Sequence, residues 1–232
     1  MTQSPMRGAE QWAQFYRRGV GNVYPDENLV RLIRGNYADV PRSGRVLDVG
    51  FGIGGNLVFF AQSGFEAHGL EVSQESIDAG NKLSESAGID LNLALMDGTK
   101  LPYEDDYFDV VVSWGAVYYH GNRTLVAEAI NDFRRVIKPG GVLLLSVIHP
   151  NSFMVRRFTE DLGDGVHRID RESPHDTRFG MDIFYSGTST GWRELLSPFD
   201  EVAEGYAEAD LFNPERRDAW RLFLARKGLA GS

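Results

Sequence analysis

The chain has 232 residues, enough for one domain with a substantial core, and its 42% apolar and 25% charged content is ordinary for a water-exposed globular protein. A net charge of −9 opposes a phosphate backbone, so nucleic acid is disfavoured as a partner. The lack of cysteine excludes disulfides, thiolate zinc and a cysteine nucleophile. Apolar runs such as 110–112 and 142–145 are too short to span a bilayer, and residues 1–10 show no signal-peptide pattern, so the expected location is the cytoplasm.

Residues 1–41 form an N-terminal segment rich in aromatics and arginine. Within them Asp26 can cap a helix in which Leu29, Leu32, Ile33 and Tyr37 share one face. From Arg45 strand and helix signals alternate. Residues 45–50 read as a buried strand running into a glycine-rich turn, followed by a helix over 56–62 and a strand over 65–70. Ser73 caps a helix that reaches Ala87 and stops at Gly88; strands follow at 91–95 and 108–114. Leu125, Ala129, Phe133 and Val136 mark an amphipathic helix, ended by the Lys138-Pro139-Gly140-Gly141 turn before a fifth strand at 142–148. Residues 149–188 read as an inserted cap, highly charged and weakly periodic over 151–178. Residues 189–232 close the domain with a short helix at 190–196 and strands at 199–207 and 219–226, the first polar enough for a sheet edge. Such alternation predicts one α/β domain, a mostly parallel, doubly wound sheet with helices on both faces, and ligand sites beyond the carboxyl ends of the strands.

The sharpest signal is Asp48-Val49-Gly50-Phe51-Gly52-Ile53-Gly54-Gly55 at the end of the first strand. Glycines there allow a tight turn and let a ligand approach the main chain. Gly50, Gly52 and Gly55 also satisfy the spacing of a dinucleotide fold, and Glu71, about 20 residues on, suits a ribose diol in either case. Asp48 separates the two: a carboxylate at that point favours an ammonium group and opposes a pyrophosphate. Asp97, after the third strand, adds an acid able to accept from an exocyclic amine. Three acids at three successive strand ends fit a cationic nucleoside without phosphate, and a nicotinamide oxidoreductase is disfavoured.

From Arg45 to Ser146 the chain resembles the class I S-adenosylmethionine-dependent methyltransferases, in their small-molecule, ubiquinone-biosynthesis-like branch. The stretches that carry this are VLDVGFGIGG, GLEVS, MDGTKLPYEDDYFDVVVSW and VIKPGGVLLLS, four blocks in order over rather less than half the chain. The resemblance implies a Rossmann-like seven-stranded sheet whose last strand is antiparallel, with S-adenosyl-L-methionine as cofactor. It places Asp48 near the methionine amino group, Gly50, Gly52 and Gly54 around the methionine with Phe51 inside their turn, and Glu71, followed by Val72, on both ribose hydroxyls. Asp97, with Gly98 alongside, would accept from the adenine amine, and Ser113 and Trp114 would close the methionine end. In related enzymes a lid tyrosine reaches the donor carboxylate, which makes Tyr16 and Tyr24 candidates, with Arg17 or Arg18 in reserve.

Methyl transfer from a sulfonium is an in-line displacement that alignment alone can accelerate, and a base is needed only when the acceptor must lose a proton. His120, after the fourth strand, is the first candidate for that base and His149, after the fifth, the second. Tyr118, Tyr119, Phe153 and Met154 are candidates for an acceptor pocket. No His, Asp or Glu group has metal-ligand spacing. The expected reaction is methyl transfer to an oxygen or nitrogen nucleophile of a small molecule, the oligomeric state being open. Alternatives are a methyltransferase acting on RNA or protein, and a non-catalytic S-adenosylmethionine-binding protein.

Overall fold

The central strands alternate apolar side chains to two faces, and both faces are covered. In the computed structural model, which describes residues 7–19, 21, 23–96, 100–170, 178–210 and 217–229, these are β1 (Gly44–Val49), β4 (Phe108–Trp114) and β5 (Ile137–Ile148). Val46, Val110, Val112, Val142 and Leu144 point into a layer with α2 (Glu27–Arg34) and α3 (Gly55–Gln62). Leu47, Val49, Val111, Leu143 and Leu145 point the other way, against α5 (Arg123–Val136) and α7 (Ser189–Leu195). Parallel strands buried on both sides require this pattern.

The remaining strands of the main sheet are β2 (Phe65–Glu71), β3 (Asn92–Leu95), β9 (Glu201–Ala209) and β10 (Asp218–Arg226), in the order β3-β2-β1-β4-β5-β10-β9. Only β10 runs against the rest, pairing antiparallel with both β5 and β9. The expected seven-stranded sheet with an antiparallel last strand is therefore observed. The chain winds outward through β2 and β3, then returns to lay β4 on the other side of β1, with Val46 opposite Val110 and Asp48 opposite Val112. That reversal opens a crevice beyond the carboxyl ends of β1 and β4. Edge strand β9 carries three acids, each salt-bridged: Glu201 to Arg226, Glu204 to Arg221 and Glu208 to Arg217.

Several local signals map directly onto structure. Asp26 accepts from Asn28 N–H at 2.8 Å as the N-cap of α2. Ser73 accepts from Ser76 N–H at 3.2 Å to start α4 (Gln74–Ala87), and Gly88 closes it in a left-handed conformation. Three expectations need correction. Tyr37 lies beyond α2 and is 74% exposed, so it does not extend the apolar face of Leu29 and Ile33. Lys138–Gly141 does not separate helix from strand; it is an irregularity inside β5, between the pairs Phe108–Ile137 and Val110–Val142. The charged segment after β5 is also more ordered than its weak periodicity suggests. It holds α6 (Phe153–Phe158) and a three-stranded antiparallel sheet of β6 (Thr159–Asp161), β7 (Val166–Ile169) and β8 (Asp182–Phe184).

Phe51, a bulky residue within the glycine turn, is buried in the space left by two glycines. A Cβ on Gly69 would lie 2.6 Å from its ring and 2.5 Å from Leu57; one on Gly80 of α4 would lie 3.1 Å from the same ring. Gly69→Ala is therefore expected to overpack this core and cost about 1–3 kcal/mol. A lowered urea midpoint, partly restored by adding Phe51→Leu, checks it.

Candidate functional site

The crevice is built by the turn that leaves β1. Gly50 and Gly52 have φ of 79° and 66°, values that L side chains rarely adopt, and Gly54 forms the N-cap of α3. A Cβ on Gly50 would stand 2.5 Å from that of Ala116, so the loop after β4 closes directly against the turn. Ser76 of α4 donates its hydroxyl to Gly52 O, and Gly50 N–H donates to Leu70 O at 2.8 Å. These bonds fix the turn to two neighbouring elements. Ser76 and Ala116 escaped notice in the sequence, because a buried serine hydroxyl and a small loop residue carry no pattern of their own.

Asp48 sits at the end of β1 with only 1% of its surface exposed, and among the described residues neither carboxylate oxygen has a hydrogen-bond partner of ordinary geometry, the Asn56 side chain giving only a looser contact. Burial pushes its pKa from 3.8 to about 7, with the nearby Glu71 charge adding to the shift and Asn56 opposing it. A buried carboxylate so loosely held is costly, and a cationic ligand would offset that cost. Glu71, 5% exposed at the end of β2, is in contrast well held. Its Oε1 accepts from Gly52 N–H at 3.0 Å and from the Tyr16 hydroxyl at 3.2 Å, and its Oε2 accepts from Val72 N–H at 2.8 Å. Burial raises its pKa against the pull of those bonds.

Asp97 and Gly98 lie outside the described residues; Met96, just before them, donates its N–H to Glu71 O at 2.8 Å. Ser113 near the end of β4 is fully buried, its hydroxyl without a hydrogen-bond partner among the described residues, and Trp114 packs partly buried beside it. The structure thus brings Asp48, Gly50, Gly52, Glu71 and Val72 together, with Tyr16 among them.

Tyr16 belongs to α1 (Arg7–Arg17), which crosses this end of the sheet. Arg17 pairs with Glu75 of α4 at 2.8 Å, and Trp12 stacks on Tyr16 while meeting Tyr119 edge-on, 5.0 Å between ring centroids. Arg178 donates to the Tyr119 hydroxyl at 2.6 Å and lies 6.0 Å from the Phe15 ring, a contact the sequence did not suggest. Tyr24 is 74% exposed and is not among the residues gathered around Glu71.

The two histidines stand apart. His120 ends the 3₁₀ turn Val117–His120 and lines a small cavity with Val49, Met96, Lys100, Leu101, Ala129, Asp132 and Phe133. Burial alone lowers its pKa. His149 Nδ1 accepts from Asn151 N–H at 3.1 Å, and its ring packs 4.6 Å from that of Tyr206 on β9. Its pKa is lowered by burial and then by Arg221. Among the described residues no group of His, Asp and Glu is placed to hold a metal ion.

Residues 46–141 match the family model described as a methyltransferase domain. Over 123 residues the chain is 30% identical to a glycine/sarcosine/dimethylglycine N-methyltransferase of Actinopolyspora halophila, covering 52% of this chain and 21% of that one. It is 31% identical over 113 residues to the 2-methyl-6-phytyl-1,4-hydroquinone methyltransferase of Synechocystis, covering 48% and 34%. Among solved structures, an S-adenosylmethionine-dependent methyltransferase of Methanosarcina mazei superposes with a TM-score of 0.65 at 18% identity, over 82% of this chain and 95% of the other. Residues 46–141 are thus similar to methyltransferase domains, and the fold is one shared with an S-adenosylmethionine-dependent methyltransferase. The chain spans between 21% and 50% of the length of the first relatives it matches.

Asp48 has a clear signature in the ligand-free protein. The folded chain keeps a proton there up to about pH 7, whereas the unfolded chain releases it near 3.8, so stability falls as pH rises between those values. The loss is on the order of 2–4 kcal/mol. Asp48→Asn is expected to remove that slope, raising the urea midpoint above wild type at about pH 8 and leaving it level at about pH 4. Titrations at both values check it.

Proposed function

We propose that the protein transfers the methyl group of S-adenosylmethionine to an oxygen or nitrogen nucleophile of a small molecule. The observation that carries this is the buried carboxylate of Asp48, approached among the described residues only loosely by the Asn56 side chain, at the mouth of a glycine turn and close to Glu71. That donor set suits a cationic amino acid joined to a nucleoside and disfavours the pyrophosphate of a dinucleotide. When bound, the donor supplies a methyl group on an already activated sulfonium. Asp48 takes the ammonium, the main chain of Gly50 and Gly52 admits the methionine, Glu71 accepts from the ribose hydroxyls, and Asp97 with Gly98 meets the adenine. Ser113 and Trp114 close the methionine end.

The acceptor is proposed to enter between α1, the 3₁₀ turn and the cap, where Trp12, Phe15, Tyr119 and Arg178 meet. The named substrates of the relatives include amines, sterols and a hydroquinone, so the shared part is the donor chemistry. The net charge of −9 disfavours RNA as the acceptor. Cytoplasmic placement belongs to the same proposal; no helix among the described residues is long and apolar enough to cross a membrane.

Of the two candidate bases, His120 shares its cavity with Val49 and Met96, which flank Gly50 and Asp97, rather than with Trp12 and Tyr119. His149 is turned toward β9. The placement favours transfer driven by alignment, with neither imidazole as an obligatory base. His120→Ala is accordingly expected to weaken donor binding while kcat stays within about tenfold; a loss of about 10²-fold or more in kcat at saturating donor would restore it as the base.

Calorimetry separates the donor reading from its rivals: S-adenosylmethionine and S-adenosylhomocysteine are expected to bind and NAD not. Preferential NAD binding would overturn the proposal. With labelled methyl donor, turnover of a phenol or amine is expected, whereas labelling of tRNA or protein alone would reassign the acceptor. Tight donor binding without any transfer would leave a binding protein.

A further inference from the structure

We propose that the Tyr16 hydroxyl latches α1 onto Glu71 in the place of a ribose hydroxyl, so that the donor's diol must unfasten this helix to enter. The inference rests on the reading of the crevice as a donor site.

An ionised carboxylate offers about four lone-pair directions. Three donors of the described residues already use Glu71: Gly52 N–H and the Tyr16 hydroxyl on Oε1, and Val72 N–H on Oε2. A vicinal diol brings two more donors, and about one direction is left. One of the three must go. Gly52 and Val72 are fixed main chain: the Gly52 carbonyl is held by Ser76, and Val72 directly follows β2. Tyr16 is the donor carried by a separate element. A Cβ on Gly52 would lie 3.5 Å from the Tyr16 oxygen, so the hydroxyl stands over the main chain that a ligand must approach.

Besides Tyr16, α1 is held by the packing of Trp12 and Ala13 and by an ion pair to α4. The Arg17–Glu75 pair is solvent-exposed, and such pairs contribute little. The same helix carries Trp12, packed on Tyr119, and Gly8, where a Cβ would lie 3.2 Å from Met181 beside β8. Releasing Tyr16 therefore loosens the helix that covers the 3₁₀ turn and the cap. Donor entry and access to the proposed acceptor side are coupled through one hydroxyl, and binding is ordered, donor first.

Stopped-flow binding of S-adenosylhomocysteine and of its 2′,3′-dideoxy analogue to wild type and Tyr16→Phe tests this. With the latch removed, S-adenosylhomocysteine is expected to associate about tenfold faster, the scale of one hydrogen bond to a charged group. The dideoxy analogue, which makes no claim on the Tyr16 position, is expected to associate at one rate with both proteins. Equal rates for S-adenosylhomocysteine in the two proteins overturn the latch, and so does equal acceleration of both ligands, which marks a helix merely loosened. If neither ligand binds either protein, the donor reading falls and the latch with it.

Discussion

A sheet covered on both faces leaves its interior strands little place for a charged side chain except toward their ends. In β1, β4 and β5 the apolar side chains fill that two-faced packing, Lys138 pairs with Asp109 near the amino ends, and Asp48 and Ser113 lie near the carboxyl ends. Asp48, Glu71 and Ser113 are all last or nearly last residues of their strands. All three are buried, at 1%, 5% and 0% exposure. Burial makes the difference between Asp48 and Glu71 chemically meaningful. Among the described residues one carboxylate has only a loose contact with Asn56, and the other is held by three donors. Desolvation raises the pKa of both. The site proposed to bind a cation and a diol thus begins with one acid in deficit and one already occupied.

The order of the main elements was legible because the chain alternates a period near two with a period near 3.6, and because its glycines and caps fall at the breaks. Asp26, Ser73 and Gly88 are where cap chemistry puts them. The glycine turn and its acids were legible for the same reason: strand, turn and carboxylate lie within a few residues of one another. What stayed hidden depends on contacts distant in sequence. Phe51 looked anomalous until Gly69 and Gly80 were seen to make room for its ring. Tyr16 and Glu71 are 55 residues apart, and nothing local in either announces their bond.

The structure of the segment after β5 was hidden for another reason. Strands β6, β7 and β8 are three or four residues long, too short for an alternation to emerge from a charged background, and they are held by pairing with each other. Tyr37 failed in the opposite sense. Its spacing matches the buried face of α2, but the helix ends at Arg34 and the periodicity has no backbone to act on. Lys138–Gly141 holds two glycines and a proline, yet β5 absorbs them as extra residues on one strand while pairing resumes at Val142. Such an insertion costs a sheet little when it lies near a strand end.

The acids of β9 have a consequence for company. An edge strand exposes unpaired main-chain groups that invite a second strand. Two copies approaching edge to edge would set Glu201, Glu204 and Glu208 of one against the same row of the other, with each carboxylate already committed to an arginine of its own chain. The salt bridges to β10 therefore do more than fasten the last two strands. They hold paired charges of both signs along the open border of the sheet, which an added strand would have to desolvate, a built-in discouragement to growth by strand addition.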